Sequence, residues 1–233
     1  MYDLKQKGQD IAYKLMDPFI NLLIKLRITP NMITLFGLFL TFVSAALLVY
    51  GAEVDERGNH RFLGYCGVMI LISGAMDMVD GRLARLNNQA HPAGALFDSV
   101  IDRYSELFMF LGFCYYTITQ DYFLTSLFCF IAMIGSIMVS YTRARAEGLN
   151  VNASVGIMQR PERILLVSIS AIATAIVSSW LGGDYEIRVD WLSQPLFETI
   201  SVFSWPIFFL AITANITALR RLSYASRKLR ETI

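Results

Sequence analysis

Six apolar runs constrain this chain before anything else in it. They cover Asn31 to Tyr50, about Phe62 into Asp77 and Arg85, about Ala95 to Thr119, Tyr122 to about Tyr141, Pro161 to Trp180 and about Leu196 to Leu219. Each is near the roughly 20 residues that a helix needs to cross the hydrocarbon of a bilayer. With 55% hydrophobic residues and a mean hydropathy of +0.48, the 233-residue chain lies far from a soluble protein's balance. The expected fold is an all-α integral membrane protein of about six transmembrane helices.

Ahead of the first run, Met1 to Arg27 interleaves Lys5, Lys7, Lys14, Lys25 and Arg27 with Ile11, Leu15, Phe19, Leu22, Leu23 and Leu26 at helical spacing. The segment is too charged early, and lacks the small-residue cleavage site, to be a signal peptide. An amphipathic helix lying in the interface on the basic side of the membrane fits better than a soluble helix packed on the domain. The chain is therefore expected to form one membrane domain over 1–233, with a juxtamembrane amphipathic helix at 1–28, a transmembrane core at 29–225 and a basic tail at 226–233. Cys66, Cys114 and Cys129 all fall inside apolar runs, and their odd number argues against a disulfide framework.

A net charge of +1 says little, because in a membrane protein the position of the positive charges matters more than their sum. Arg82 and Arg85, the fourth-to-fifth loop with Arg143, Arg145, Arg160 and Arg163, and the tail with Arg220, Arg221, Arg227, Lys228 and Arg230 fall on the side of the N-terminal segment. The opposite side keeps Arg57, Arg61 and Arg188. The positive-inside rule then places both termini in the cytoplasm. No nucleic-acid partner is expected.

Against this background the stretch Asp77 to Asp102 is anomalous. It reads Asp77-x-x-Asp80-Gly81-x-x-Ala84-Arg85, then eight residues, then Gly94-x-x-x-Asp98-x-x-x-Asp102. At 100° per residue Asp77, Asp80, Gly81, Ala84 and Arg85 share one helix face, and Gly94, Asp98 and Asp102 share a face of the next helix. Four ionised aspartates in membrane helices cost on the order of 10 kcal/mol if nothing compensates them. With only Arg82, Arg85 and Arg103 close in sequence, the cluster suits one or two hard divalent cations, Mg²⁺ or Mn²⁺, because no His or Cys belongs to it. A helical glycine such as Gly81 costs about 1 kcal/mol and marks a close approach by something else. A metal pair beside open backbone and an arginine describes a site for a phosphate ester or pyrophosphate. The competing reading, solvated helix ends with intrahelical pairs, leaves the spacing of the whole string unexplained.

That string resembles, spacing for spacing, the signature of the CDP-alcohol phosphotransferase family. These are integral membrane enzymes that move a phosphate-linked alcohol from a CDP-activated donor to an acceptor hydroxyl and release CMP. The resemblance implies two metal ions held by Asp77, Asp80, Asp98 and Asp102, with Asp102 also the general base for the acceptor hydroxyl. It implies that Arg82 and Arg85 meet the pyrophosphate or nucleotide and that Gly81, Ala84 and Gly94 leave room for cytidine. Thr34 is a further nucleotide candidate, set against simple helix capping after Pro30-Asn31. A homodimer in a prokaryotic inner membrane is also implied.

A second group of arginines bears on the acceptor. Ser140-Tyr141-Thr142-Arg143-Ala144-Arg145-Ala146-Glu147-Gly148 and Gln159-Arg160-Pro161-Glu162-Arg163 look like the branch that makes phosphatidylinositol phosphate, or its archaeal ether-lipid counterpart, from inositol phosphate. Arg143 and Arg163, with Arg220 or Arg221, would clamp a phosphate monoester on the acceptor; otherwise they are anchors for lipid headgroups. The resemblance implies lysine where this chain has Arg143, a departure that bears on acceptor identity. Expected partners are thus CDP-diacylglycerol, a phosphorylated alcohol and membrane lipids. Glycerol 3-phosphate is the alternative acceptor. A cation transporter is the alternative from another class, but it leaves Gly81, Ala84 and Arg85 unexplained and the acidic stripe is not repeated in another half of the chain.

Overall fold

The computed structural model describes residues 16–87, 91–156, 158–188, 191 and 195–231. A first helix, α1, covers 16–25, and the rest of the amphipathic segment, 1–15, lies outside the described residues. Ile20 and Leu23 of α1 are buried with Ile33, Val79 and Leu83, while Phe19, Leu22 and Leu26 face outward. Apolar residues on both faces suit a helix that leans on the bundle and also lies against lipid.

Six long helices follow: α2 (Pro30–Val54), α3 (Arg61–Leu86), α4 (Pro92–Thr119), α5 (Phe123–Glu147), α6 (Arg160–Leu181) and α7 (Ser201–Glu231). Among the described residues, five of them are long and apolar enough to cross a membrane. The other, α4, has the length at 28 residues, but it carries Asp98, Asp102, Arg103 and Glu106. Between α6 and α7 the strands β1 (Glu186–Ile187) and β2 (Phe197–Glu198) form a small antiparallel ribbon, with Ile187 opposite Phe197. This ribbon delays the start of α7 to Ser201 rather than about Leu196, and α7 then continues past Leu219 to Glu231.

The helices close into a ring in the order α2, α3, α6, α7, α5, α4 and back to α2. Small residues set the spacing: a Cβ on Gly67 would come within 2.8 Å of the Ser168 carbonyl, and one on Gly135 within 2.6 Å of Asn215 Nδ2. Only glycine allows the α3–α6 and α5–α7 backbones to approach that closely in lipid, where close packing substitutes for a hydrophobic drive. Inside the ring Phe110, Phe113, Phe203, Leu210, Val139 and Ala171 form the core, and Phe113 and Phe203 stack at 5.0 Å. Outside it Phe36, Phe39, Phe130, Trp205 and Phe209 are exposed, as a lipid-facing girdle should be.

One end of the ring gathers the ends of α3, α5 and α7 and the starts of α2, α4 and α6. At the other end the connecting segments are tied by polar contacts. Tyr122 Oη donates to Asp184 at 3.0 Å, Arg57 pairs with Glu198 at 3.1 Å, and His60 lies wholly buried with Nδ1 at 3.0 Å from Tyr116 Oη. Burial there lowers the His60 pKa to about 4 and raises that of Glu198.

Candidate active site

The two acid-bearing helices do not pack on each other. Both α3 and α4 lean on α2, and their backbones stay apart at the end where the carboxylates sit. The gap is a cleft of about 720 Å³, lined from α2 by Pro30, Asn31 and Thr34, from α3 by Asp80, Gly81 and Ala84, and from α4 by Gly94 and Asp98. Local sequence sets both α2 and α4 at its rim. Pro30 opens α2, Pro92 opens α4, and the His91 side chain caps α4 by accepting from the Ala93 N–H at 3.1 Å. A Cβ on Gly81 would meet nothing within 4 Å, so no neighbouring helix requires this glycine. Its open backbone faces the cleft.

Asp80 and Asp98 line this cleft, and Asp77 and Asp102 lie within electrostatic reach of them. Asp80 is buried and accepts a hydrogen bond from Thr34 Oγ1 at 2.7 Å, while Thr34 also bonds the Pro30 carbonyl at 3.1 Å. Asp77 and Asp98 lie close enough to Asp80 to repel it electrostatically. Arg160, the first residue of α6, pairs with Asp77 and places Nη1 2.8 Å from Asp102 Oδ1. Among the described residues Asp98 Oδ1 is buried and accepts no hydrogen bond, and Asp102 Oδ1 meets Arg160 as a charge rather than through a directed hydrogen bond. Buried carboxylate oxygens left without donors, in a set of oxygen ligands that contains no His or Cys, fit Mg²⁺ or Mn²⁺ and not Zn²⁺. Among the described residues the acidic group whose oxygens all lie within 4.8 Å of one another is a different one, Asp184, Glu186 and Glu198 at the opposite end. It is already met by Arg57 and Arg188, far from the cleft.

The two arginines of the signature point in different directions. Arg82 turns toward α1 and holds Asp17 through contacts of 3.1 to 3.3 Å. Arg85 is exposed on the last turn of α3. Thr34, beyond lining the cleft, holds Asp80, a role its position after Pro30 did not reveal.

The arginines expected to meet the acceptor divide. Arg143 and Arg163 each lie within electrostatic reach of Arg221, whereas Arg220 faces outward beside Tyr224 and Arg227. Arg163 is 1% exposed, with Nε donating to Glu106 Oε1 at 2.7 Å and Nη1 to the Met158 carbonyl at 2.9 Å. Arg221 donates to the Val155 and Val139 carbonyls at 2.8 and 2.9 Å. Arg143 is exposed and pairs with Glu147 at 2.8 Å. Two of the three cations are thus buried with their donors engaged, and Arg143 is the exposed one.

Sequence reasoning passed over Glu106 and Arg160. Glu106 continues the i+4 stripe of Gly94, Asp98 and Asp102 by one more turn, a signal that was available. Arg160 sits in a capping box: Gln159 is the N-cap, and its N–H donates to Glu162 at 2.8 Å. That motif locates the start of α6, but not the helices it will face.

Residues 27–210 match the family model described as CDP-alcohol phosphatidyltransferase. A phosphatidylinositol phosphate synthase of Mycobacteroides abscessus is 30% identical over 179 residues, which cover 75% of this chain and 74% of that protein. An archaetidylinositol phosphate synthase of Pyrococcus horikoshii is 30% identical over 155 residues, 66% of this chain and 74% of that protein. The structure of Mycobacterium tuberculosis phosphatidylinositol phosphate synthase with CDP-DAG bound superposes with a TM-score of 0.71 at 22% identity, over 91% of this chain and 94% of that one. The same mycobacterial protein in complex with manganese and citrate gives a TM-score of 0.69 at 22% identity, over 89% and 87%.

Proposed function

Because the chain belongs to the CDP-alcohol phosphatidyltransferase family, and is thus a membrane transferase of phospholipid synthesis, we propose that it makes phosphatidylinositol phosphate from CDP-diacylglycerol and inositol phosphate. The observation that carries this choice is the grouping of Arg143 and Arg163 around Arg221, with Arg163 bound to Glu106 one turn beyond Asp102, since a phosphorylated acceptor brings an anion for them to hold. The similarity to the Mycobacteroides and Pyrococcus synthases supports it.

In this reading the cytidine of the donor enters the cleft over Gly81, Ala84 and Gly94, where bare backbone leaves it room. Asp77, Asp80, Asp98 and Asp102 hold two divalent ions, Mg²⁺ or Mn²⁺, whose chemistry when bound is to neutralise the pyrophosphate and polarise its phosphorus. Thr34 keeps the Asp80 carboxylate aimed into the cleft. The arginine group binds the acceptor's phosphate and turns its free hydroxyl toward Asp102, which accepts the hydroxyl proton. The acceptor oxygen bonds to the phosphatidyl phosphorus, the bridging P–O bond breaks, and CMP leaves with the electron pair. Both termini and the carboxylate end of the ring face the cytoplasm in this reading, in accord with the gathering of Arg143, Arg145, Arg220, Arg227 and Arg230 there.

A second reading is favoured by the archaetidylinositol phosphate synthase relative: the acceptor is the same and the donor carries ether-linked chains. The test is CMP release by the purified protein with CDP-diacylglycerol and, in turn, inositol phosphate, glycerol 3-phosphate, free inositol and serine. Inositol phosphate should turn over far faster than free inositol. Equal rates with an unphosphorylated alcohol would remove the arginine clamp, and a faster rate with glycerol 3-phosphate would keep the clamp and change the acceptor. Exchanging the diacyl for an archaeal diether donor separates the two readings.

A further inference from the structure

On the far side of the ring from the cleft, α5 and α7 leave between their outer faces a groove of about 380 Å³ at the carboxylate-bearing end. The two helices run parallel there and are tied together by Arg221 Nη1, which donates to the Val139 carbonyl. Residues of the two helices therefore advance in step along the groove. Tyr141 and Leu222 lie deepest, Ser226 follows, and Arg145 and Arg230 stand at the outer end.

This order matches the order of groups in a phospholipid. α5 is 25 residues long, about 37 Å at 1.5 Å per residue, against a hydrocarbon core of about 30 Å. A span beginning at Phe123 therefore leaves the hydrocarbon near Tyr141, and Arg145 reaches the headgroup layer. Tyr141 and Leu222 are both more than half exposed, so the deep part of the groove presents apolar surface to lipid. Charge adds a second argument. Neither Arg145 nor Arg230 makes an ion pair among the described residues, because the nearby acids are already engaged: Glu147 by Arg143 at 2.8 Å and Glu231 by Lys228 at 2.9 Å. Two unpaired guanidiniums at the mouth of an apolar groove are complementary to a phosphate that carries an acyl chain.

We propose that this groove is a binding site for an anionic glycerophospholipid, distinct from the catalytic cleft. Its phosphate lies between Arg145 and Arg230, the Ser226 hydroxyl donates at the level of the ester groups, and one acyl chain runs along Tyr141 and Leu222. The lipid acts as a clamp on the ends of α5 and α7, whose inner faces carry Arg143 and Arg221. The proposal does not rest on which alcohol is the acceptor.

The experiment uses the full chain in nanodiscs of mixed phosphatidylglycerol and phosphatidylcholine, with native mass spectrometry of the lipids that stay bound. Wild type should retain phosphatidylglycerol over phosphatidylcholine by on the order of tenfold or more. The double variant Arg145→Gln with Arg230→Gln should lose that preference. Lys25→Gln with Arg227→Gln, which removes the same charge outside the groove, should keep it. Ser226→Phe should narrow the groove and lower retention with both arginines intact. Equal loss in the two double variants would overturn the proposal by showing general surface charge. So would displacement by glycerol phosphate as effective as by whole lipid, which would leave a free-phosphate site. Dissociation of an oligomer in the Arg145/Arg230 variant without any change in lipid preference would assign the groove to a second copy of the chain.

Discussion

Arg160 stands between Asp77 of α3 and Asp102 of α4, with Nη1 2.8 Å from Asp102 Oδ1. In the proposed two-metal site the guanidinium and a divalent cation would therefore draw on the same two carboxylates. Arg160→Gln should tighten Mn²⁺ binding by about tenfold, a difference of ~1.4 kcal/mol. Electron paramagnetic resonance titration of the purified variant, without substrate, checks it. Unchanged or weaker binding would mean that the arginine organises the carboxylates rather than competing for them.

Asp102 is half of that pair and the proposed base. Asp102→Asn should lower transfer by 10²- to 10⁴-fold, the usual cost of removing a general base. Nucleotide affinity, measured by calorimetry, should stay within a few-fold. A variant that keeps a tenth of wild-type activity would place the base elsewhere.

Thr34 acts one step behind the carboxylates. Its hydroxyl donates to Asp80 Oδ2 at 2.7 Å, so Thr34→Val should raise the metal concentration needed for half-maximal activity by about 10- to 100-fold. Thr34→Ser, which keeps the donor, should restore most of it. A side chain that only capped α2 would lower thermal stability and leave the metal requirement alone.

Glu106 and Arg163 form a buried pair, 3% and 1% exposed. Glu106→Gln leaves a buried cation without its anion, a change that costs about 3–5 kcal/mol. At 2–4 °C per kcal/mol for a chain of this size, Tm should drop by on the order of 10 °C. Glu106→Leu with Arg163→Met should recover much of the stability and lose acceptor binding, because the pair holds position more than it adds to stability.

His60 confers a pH dependence at the other end of the ring. Burial holds its folded pKa at about 4 against an unfolded value of 6.5. Between those values the unfolded chain takes up a proton that the folded chain refuses, so stability falls as pH drops below 6.5 and the loss levels off near 4. The full effect is roughly 3 kcal/mol at 1.36 kcal/mol per unit. The difference in Tm between wild type and His60→Gln, followed from pH 7 to pH 4, should shrink across this window. A constant difference would show that His60 does not carry the proton uptake.

Much of this protein was legible in one dimension. Apolar run length set the helices, and the 100° step between residues put Asp77 and Asp80 on one face and Asp98 and Asp102 on another. The same step reaches Glu106. Gly81 announced open backbone, and Gln159-Arg160-Pro161-Glu162 announced the start of α6. These are local properties, decided by neighbours within a turn or two.

Only the closed ring decided which charges meet. Arg82 follows the acidic stripe directly in sequence, yet it turns away to Asp17, while Arg160, 83 residues beyond Asp77, enters the carboxylate cluster. Arg163 and Arg221 read as free cations in the sequence and are instead held by Glu106 and by backbone carbonyls. Helical periodicity says which residues share a face but not which face lies opposite. That choice depends on how deeply backbones approach at glycines such as Gly67 and Gly135, and on which helices a ring of six makes neighbours. Such contacts join positions far apart in the chain, and no spacing along it encodes them.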